Sequence, residues 1–324
     1  MASPATQFGH DSHDRSRSYR RTGLAVLAMC AFASGAAAQM PDDGSMLRRG
    51  AVTVGVSYGA DRWDDYWEGT RLRANGNVGS VTTRSLTATV AVGLTDRLTL
   101  AAALPYVWTE ASDGVLSGME GAQDATLAVQ ACLVETPVGR GAAAGGLFRV
   151  GAEASASAPA SRYTPDFLPL SIGLGSRRAS GRLGARFDAD AGWSVGAAAA
   201  YTLRGNVTLN RDAYFTDGVL YLTGEVDMPD VAEYGVHAAL RRGRVSVPVA
   251  LVVQRTLGGG DIRRQDMPFV SNRMDFARLD ASVAYAAPLP GAPVLRLGAS
   301  RVLSGRNVGR STAVTAGVLL RLNP

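Results

Sequence analysis

The sequence contains no lysine, and after residue 38 it contains no long apolar run. Its 33 Lys+Arg positions are all arginine, and they do not cluster on a predicted helix, which argues against a nucleic-acid-binding domain. No apolar run after residue 38 approaches the ~18 residues that a membrane-spanning helix needs. The sequence after residue 38 therefore predicts neither a nucleic-acid-binding domain nor a membrane-spanning helix.

Cysteine and histidine are almost absent after residue 38. Cys132 is the only cysteine there, so no intrachain disulfide is possible even in an oxidising compartment. His237 is the only histidine there, and a serine hydrolase needs a histidine beside its nucleophile. Outer-membrane phospholipases place that serine two residues after the histidine, where this chain has Ala239. A hydrolase is therefore the least favoured function.

Residues 1–38 have the composition of a cleaved signal peptide. A cluster of arginines is followed by the short apolar stretch 24–29 and by Ala36-Ala37-Ala38, an Ala-x-Ala cleavage site. We expect the mature chain, residues 39–324, to begin at Gln39. Arg20-Arg21 also fits a twin-arginine signal, but a barrel must cross the inner membrane unfolded, which favours a general secretory leader.

From residue 46 to the end, segments of about ten residues are apolar at every second position, which is typical of β-strands. The connections between them are alternately long and short. This pattern predicts an all-β protein, a closed antiparallel up-and-down transmembrane barrel of about twelve strands with long extracellular loops and short periplasmic turns. The predicted strands are 47–58, 85–93, 98–108, 123–133, 146–157, 180–187, 193–204, 233–240, 245–255, 276–286, 294–302 and 312–322.

The strands of a soluble β-sandwich also alternate between apolar and polar residues, but a sandwich would not need the regular change between long and short connections. Aromatic residues near predicted strand ends fit the girdles of a membrane barrel: Tyr106, Trp108, Trp193, Tyr201, Tyr221 and Tyr285. The last strand is similar to the C-terminal signal that the barrel-assembly machinery reads, although it ends on Asn323-Pro324 and not on an aromatic residue. We therefore expect an outer-membrane protein of a Gram-negative bacterium.

The inward face of such a barrel sets its selectivity. The candidate lumen-lining residues are Arg149, Glu153, Arg182, Arg186, Arg204, Glu233, His237, Arg278, Asp280 and Arg296. An excess of arginine would favour anionic solutes. Ion pairs that merely fill a narrow lumen are an equal alternative. Twelve strands give a narrower bore than a 16-stranded porin.

No cofactor or metal motif is present, because the sequence has no P-loop, dinucleotide fingerprint or zinc-ligand spacing. The acidic group Asp61, Asp64, Asp65 and Glu68 could serve a surface protease. An acidic loop is more often a solvated or divalent-cation-bridged loop beside lipopolysaccharide.

Several short segments resemble a known family. Gly93-Leu94-Thr95-Asp96-Arg97-Leu98, Leu104-Pro105-Tyr106 and Gly121-Ala122-Gln123-Asp124 are similar to the signature of the transporter-like outer-membrane family named after the meta-cleavage pathway of phenol degradation. Gln123 stands where that family typically has glycine, and Ser304-Gly305-Arg306-Asn307 is also similar. The resemblance implies a barrel that passes small, often aromatic or hydrophobic, molecules.

The sequence thus predicts an outer-membrane channel for passive passage of a small solute. A structural or surface-interaction barrel without transport is the alternative, and a membrane-embedded hydrolase is a third, weaker one. The expected partners are outer-membrane lipid and lipopolysaccharide, the barrel-assembly machinery and the solute.

Overall fold

Twelve long antiparallel strands make up most of the residues that a computed structural model describes, which are 46–139, 145–262 and 269–322. They are β1 (Val52–Trp63), β2 (Val81–Thr95), β3 (Leu98–Ala111), β4 (Asp124–Val138), β5 (Gly146–Pro159), β6 (Arg178–Ala189), β7 (Trp193–Arg204), β8 (Val231–Arg242), β9 (Val245–Thr256), β10 (Asp275–Ala286), β11 (Val294–Arg306) and β12 (Thr312–Leu322). Each corresponds to one predicted strand. The predicted signal peptide, residues 1–38, lies outside the described residues.

The sheet closes on itself because β1 pairs with β2 on one side and with β12 on the other. The β1–β12 register runs from Val52↔Leu322 to Arg62↔Thr312. Closure leaves none of the twelve strands with an open edge, as a lipid environment demands of backbone N–H and C=O groups. The predicted closed twelve-stranded barrel is therefore confirmed.

The outer surface of the barrel is aliphatic. Side chains on one face of each strand are strongly exposed, such as Val236 at 56% and Leu297 at 66%. Their neighbours in sequence point inward and are mostly small or polar. A continuous apolar exterior on a closed barrel is how β-strands span the outer membrane of Gram-negative bacteria, and the protein is such an outer-membrane barrel.

Aromatic side chains mark both ends of this apolar belt. Tyr58, Tyr106 and Trp108 cluster at the long-loop end, with ring centroids 6.2 Å apart for Tyr58–Trp108 and 6.1 Å apart for Tyr106–Trp108. At the short-turn end, Trp193 lies 5.5 Å from Phe187. The prediction that Tyr221 belongs to this girdle is wrong.

Tyr221 lies instead in a small hairpin of the longest loop, formed by Tyr214–Thr216 and Val219–Tyr221. There its ring stacks on that of Tyr214, with centroids 4.8 Å apart. The sequence predicts only a long connection between residues 204 and 233 and does not predict this hairpin.

Five of the six loops at the long-loop end of the barrel fold over its mouth. The loops are L1 (64–80), L2 (112–123), L3 (160–177), L4 (205–230), L5 (257–274) and L6 (307–311). All except L2 contribute buried apolar side chains to one cluster, the mouth core: Trp67, Leu168, Leu174, Val207, Leu209, Tyr214, Val226, Met228, Ile262, Val270, Met274 and Val308, together with Phe276 and Val302 from strand ends. None of the helical segments in the described part of the chain is long and apolar enough to cross a membrane.

The segment before β1 enters the barrel and does not pair as a strand. The sequence predicted a strand from Leu47, yet β1 begins at Val52. Leu47 packs against inward-facing Ala91, Ala101 and Ala128, and its N–H donates to Thr99 Oγ1. Leu47 therefore uses its apolar side chain to fill the lumen, a role that alternation alone does not distinguish from the first residue of a strand.

Candidate functional site

One wall of the lumen brings together four of the predicted charged residues. Arg149 and Glu153 lie on β5, directly opposite Arg186 and Arg182 on β6. Arg149 donates to Glu135 Oε2 at 2.7 Å and to Asp188 Oδ2 at 2.9 Å. The pairing of β5 with β6 brings the first four candidates together; that they set selectivity stays a prediction.

The same wall is close to neutral. Asp188 lies between two arginines, because Arg186 Nη2 is 2.6 Å from its Oδ1 while Arg149 contacts its other oxygen. Glu153 accepts a hydrogen bond from Gln130 Nε2 at 2.8 Å. The three arginines at 149, 182 and 186 thus share this wall with three carboxylates, at 135, 153 and 188. This arrangement favours the ion-pair alternative over a net positive filter.

A cavity of about 120 Å³ adjoins this charged wall. Besides the charged side chains, Met46, Cys132 and His237 line it. The ring of His237 lies against its cross-strand neighbour Gly196, where a Cβ atom would come within 2.5 Å of the imidazole. Glycine at 196 therefore gives the ring room to lie against the wall.

The remaining candidates are distributed around the barrel. Arg278 and Asp280 lie on β10 and pair with each other, with Arg278 Nε 2.8 Å from Asp280 Oδ1. Arg204 is at the long-loop end of β7 and Glu233 near the start of β8. Arg296 lies on β11, opposite Gly317 of β12. These five do not join the β5–β6 group.

The acidic group in and beside L1 does not form facing carboxylate pairs. Asp65 pairs with Arg310, and Glu68 pairs with Arg73 at 3.3 Å and accepts from the Tyr66 hydroxyl. Asp61 lies apart, on the inward face of β1 opposite Thr83. A surface protease would need such pairs, so the geometry does not support that alternative.

A bulge interrupts the wall between β3 and β4. The two strands pair up to Ala103↔Thr126, and β3 then pairs with the short strand Glu120–Ala122, from Tyr106↔Ala122 onward. Two residues of β3 therefore face three on the other side, which is the pattern of a β-bulge. Pro105 falls at the bulge, where its missing N–H removes no ladder hydrogen bond.

Asp124 anchors this bulge from inside and is 4% exposed. Arg178 Nη2 donates to its Oδ2 at 2.7 Å, and the Tyr163 hydroxyl donates to its Oδ1 at 2.5 Å. Burial, and then the charge of Asp124, raises the pKa of the Tyr163 hydroxyl, which keeps it protonated as a donor. Gln123 donates through Nε2 to the carbonyl oxygen of Ile172, which ties L3 to the same point.

Beside the bulge, a groove of about 730 Å³ runs along the barrel wall and is lined mainly by apolar atoms. Small outward-facing residues form its floor, among them Ala88, Ala102, Ala125, Ala156 and Ala158. Lumen-facing residues at the bulge line it too, namely Thr89, Ala103, Thr126, Ser157 and Arg178. We call this groove the wall groove.

The candidate list from the sequence omitted the residues of this region. Gln123 and Asp124 appear in the sequence only as part of a family-like segment, and nothing in the sequence singles out Arg178 or Tyr163. The available signal was the segment Gly121-Ala122-Gln123-Asp124 beside Leu104-Pro105-Tyr106, because both segments meet at the bulge. Their shared location in space could not be seen in either segment alone.

Residues 50–226 match the family described as "Putative MetA-pathway of phenol degradation". The chain belongs to this family. The matched range of the phenol-degradation family contains the turn segment 93–98 and both segments that build the bulge, and the predicted resemblance is confirmed.

Solved structures similar to this member of the phenol-degradation family are outer-membrane barrels. An outer membrane channel from Pseudomonas putida F1 superposes with a TM-score of 0.67 at 16% identity, over 87% of this chain and 99% of that chain. The NanC porin gives 0.47 at 8% identity, over 83% and 100%. The first likeness supports the fold, while the second is too distant to carry an argument. No curated protein matches the sequence.

Proposed function

We propose that the protein is a passive outer-membrane channel for small apolar solutes, aromatic ones included. The wall groove is the observation that carries this proposal. It is apolar, it is of a size suited to small ligands, and it lies beside the bulge that interrupts the barrel wall. Transfer of an apolar solute from water into such an apolar groove is favourable.

The charged wall of the lumen suits the same proposal. Its arginines at 149 and 186 are committed to carboxylates, so the lumen offers little net charge to attract an ion. The mouth core covers the long-loop end with buried apolar side chains. An apolar solute that reaches the wall groove from the membrane side meets neither the charged wall nor the mouth core.

Photolabelling tests where an apolar solute binds. A small arene that carries a diazirine is expected to label peptides containing residues 102–104 and 156–158 of the folded protein. Ala156→Trp fills the groove floor and should abolish that labelling, whereas Ala238→Trp, on an equally exposed outward position of β8, should leave it unchanged. Labelling spread evenly over all lipid-facing strands would contradict a solute site in the groove.

A barrel without transport is the second candidate, and the mouth core favours it. A barrel that interacts with external partners through its loops needs those loops to be stable. The mouth core provides that stability because it is packed like a protein interior. The two candidates differ in flux: a folded barrel that never speeds solute passage would leave only the structural role.

We propose no catalytic role. Within the described residues His237 is the only histidine, its ring lies against Gly196, and Ala239 stands where a phospholipase has its serine. A lipid-hydrolysis assay comparing the wild type with His237→Ala tests this. Equal, background-level activity is expected, and activity that the substitution removes would contradict it.

The expected macromolecular partners follow from the membrane location. The barrel-assembly machinery would insert the chain, and lipopolysaccharide would surround the long-loop end, since that end faces outward from the cell. These partners are part of the proposal.

A further inference from the structure

Basic and polar side chains form a row on the outer surface, at the long-loop ends of four adjacent strands. Arg301 of β11 is opposite Thr312 of β12, Thr312 is opposite Arg62 of β1, and Arg62 is opposite Thr82 of β2. These residues have the same outward phase as the exposed aliphatic residues below them. We call Arg301, Thr312, Arg62 and Thr82 the rim row.

The rim row lies at the level where a lipid headgroup would be. One step toward the membrane, Ala60 is opposite Arg84 and Arg84 is opposite Trp108. The next step contains Tyr58 and Tyr106, on either side of Leu86. Aromatic girdles sit at the membrane–water boundary, so the rim row is just outside that boundary.

The arginines of the rim row are available to an external anion. Arg62 and Arg301 are exposed. Arg301 Nη1 donates to Thr312 Oγ1 at 3.1 Å, which holds its guanidinium over β12, toward Arg62. Within the described part of the chain, neither has a carboxylate partner. With strands about 4.8 Å apart, the two Cα atoms are roughly 10 Å from each other.

Arg84 extends the basic patch but is partly neutralised. Its Nη2 is 2.7 Å from Glu110 Oε1, and Glu110 lies on the neighbouring strand, opposite Thr82. Glu110 therefore acts as an internal competitor for this arginine. Removing that carboxylate would leave three arginines facing the same stretch of headgroup.

We infer that the rim row is a binding site for the phosphate groups of lipopolysaccharide, on the outer surface of β11, β12, β1 and β2. Arginine pairs with phosphate in bidentate geometry, and basic clusters beside a membrane bind anionic headgroups. The aliphatic residues below the girdle, including Val56 and Val318, would pack against the acyl chains of the same molecule. The inference rests on the proposed orientation of the barrel, with its long loops outside the cell.

Native mass spectrometry of protein refolded in detergent tests this site with purified bisphosphorylated lipid A. The wild type is expected to bind it at least tenfold more tightly than lipid A whose phosphates have been removed. Arg62→Gln and Arg301→Gln should each weaken binding about fivefold, and the double variant about 30-fold, as expected for loss of one or two cations at an anionic surface.

Matched variants separate the site from general charge and from misfolding. Arg242→Gln and Arg244→Gln remove exposed arginines at the short-turn end and should leave the affinity for lipid A unchanged. Glu110→Gln releases Arg84 and should bind at least as tightly as the wild type. Heat-modifiable migration on gels verifies that every variant is folded.

Two results would overturn the inference. The first is a double variant that binds bisphosphorylated lipid A as tightly as the wild type does. The second is a Glu110→Gln variant that loses as much affinity as the arginine variants, since that loss would reflect a disturbed sheet. Solute uptake is measured on the same double variant and should be unchanged, so failure of the lipid site is distinguishable from failure of the channel.

Discussion

Asp124 is the residue on which the wall beside the groove depends most directly. Its two oxygens accept from different elements, the strand residue Arg178 and the L3 residue Tyr163. A buried carboxylate held in this way fixes the start of β4, the start of β6 and the path of L3 at one point. The bulge and its groove are therefore positioned by one side chain.

Asp124→Asn is expected to destabilise the barrel by about 2 kcal/mol. The amide cannot accept from both donors as the carboxylate does, and Arg178 loses its charge partner. Thermal unfolding in detergent, followed by circular dichroism, measures the change. Asp190→Asn, at an exposed turn residue, is the control and should unfold like the wild type; equal unfolding of both variants would show that Asp124 is not an anchor.

The charged wall makes a prediction about ion selectivity. Arg149→Gln leaves Glu135 and Asp188 with one cation fewer, so the reversal potential in a planar bilayer under a salt gradient should move toward cation preference. The double variant Arg149→Gln/Glu135→Gln restores neutrality and should return the potential to the wild-type value. A double variant that stays as shifted as the single one would mean that position 149, and not net charge, sets selectivity.

At the scale of elements, the loops over the mouth are joined through Asn307. Its Oδ1 accepts from Gly69 N at 2.7 Å and Ile262 N at 3.1 Å, and its Nδ2 donates to Arg273 O at 2.7 Å. One buried side chain thereby connects L1, L5 and L6. The neighbouring Arg306 adds two bonds to Asp261, at 2.7 and 2.8 Å.

Asn307→Gly should loosen the mouth and raise single-channel conductance. Asn307 has a φ of 54°, which glycine adopts without strain, so this variant removes the side chain and keeps the backbone. The buried N–H of Ile262 then loses its acceptor, at a cost of about 1–3 kcal/mol, and the part-buried N–H of Gly69 loses its acceptor as well. Asn210→Ala, at an exposed L4 residue, should conduct like the wild type, and unchanged conductance in Asn307→Gly would contradict the role of Asn307.

The barrel strands could be predicted from the sequence because their side chains face two different environments, lipid and lumen. The mouth core and the bulge could not. Trp67, Val226 and Met274 come from loops without periodicity and are brought together only by the closed fold. Likewise, the segments 104–106 and 121–124 were recognisable as motifs, but their meeting at Asp124 depends on a β3–β4 register that includes one extra residue.

The close approach of the segment before β1 to the backbone of β2 could not be predicted from the sequence either. A Cβ atom on Gly93 would lie 2.1 Å from the carbonyl oxygen of Arg48, and the N–H of Gly50 donates to Gly93 O. Glycine at this position lets the segment before β1 pass against β2 and enter the lumen. From the sequence alone, Gly93 is recognisable only as the first residue of the turn segment 93–98.

At the scale of the whole molecule, the barrel has a mouth packed with buried apolar side chains, a nearly neutral charged wall and an apolar groove in its side. These three features together favour apolar solutes over ions as the cargo. They also predict that the route depends on the groove and not on the diameter of the lumen.

The most direct measurement is the initial rate of radiolabelled toluene uptake by cells with an intact outer membrane, with and without this protein. We expect uptake to be faster when the wild type is present, to fall to the background rate with Ala156→Trp, and to remain at the wild-type rate with Ala238→Trp. Uptake at the background rate in cells whose outer membrane contains the folded wild-type barrel would contradict the channel function.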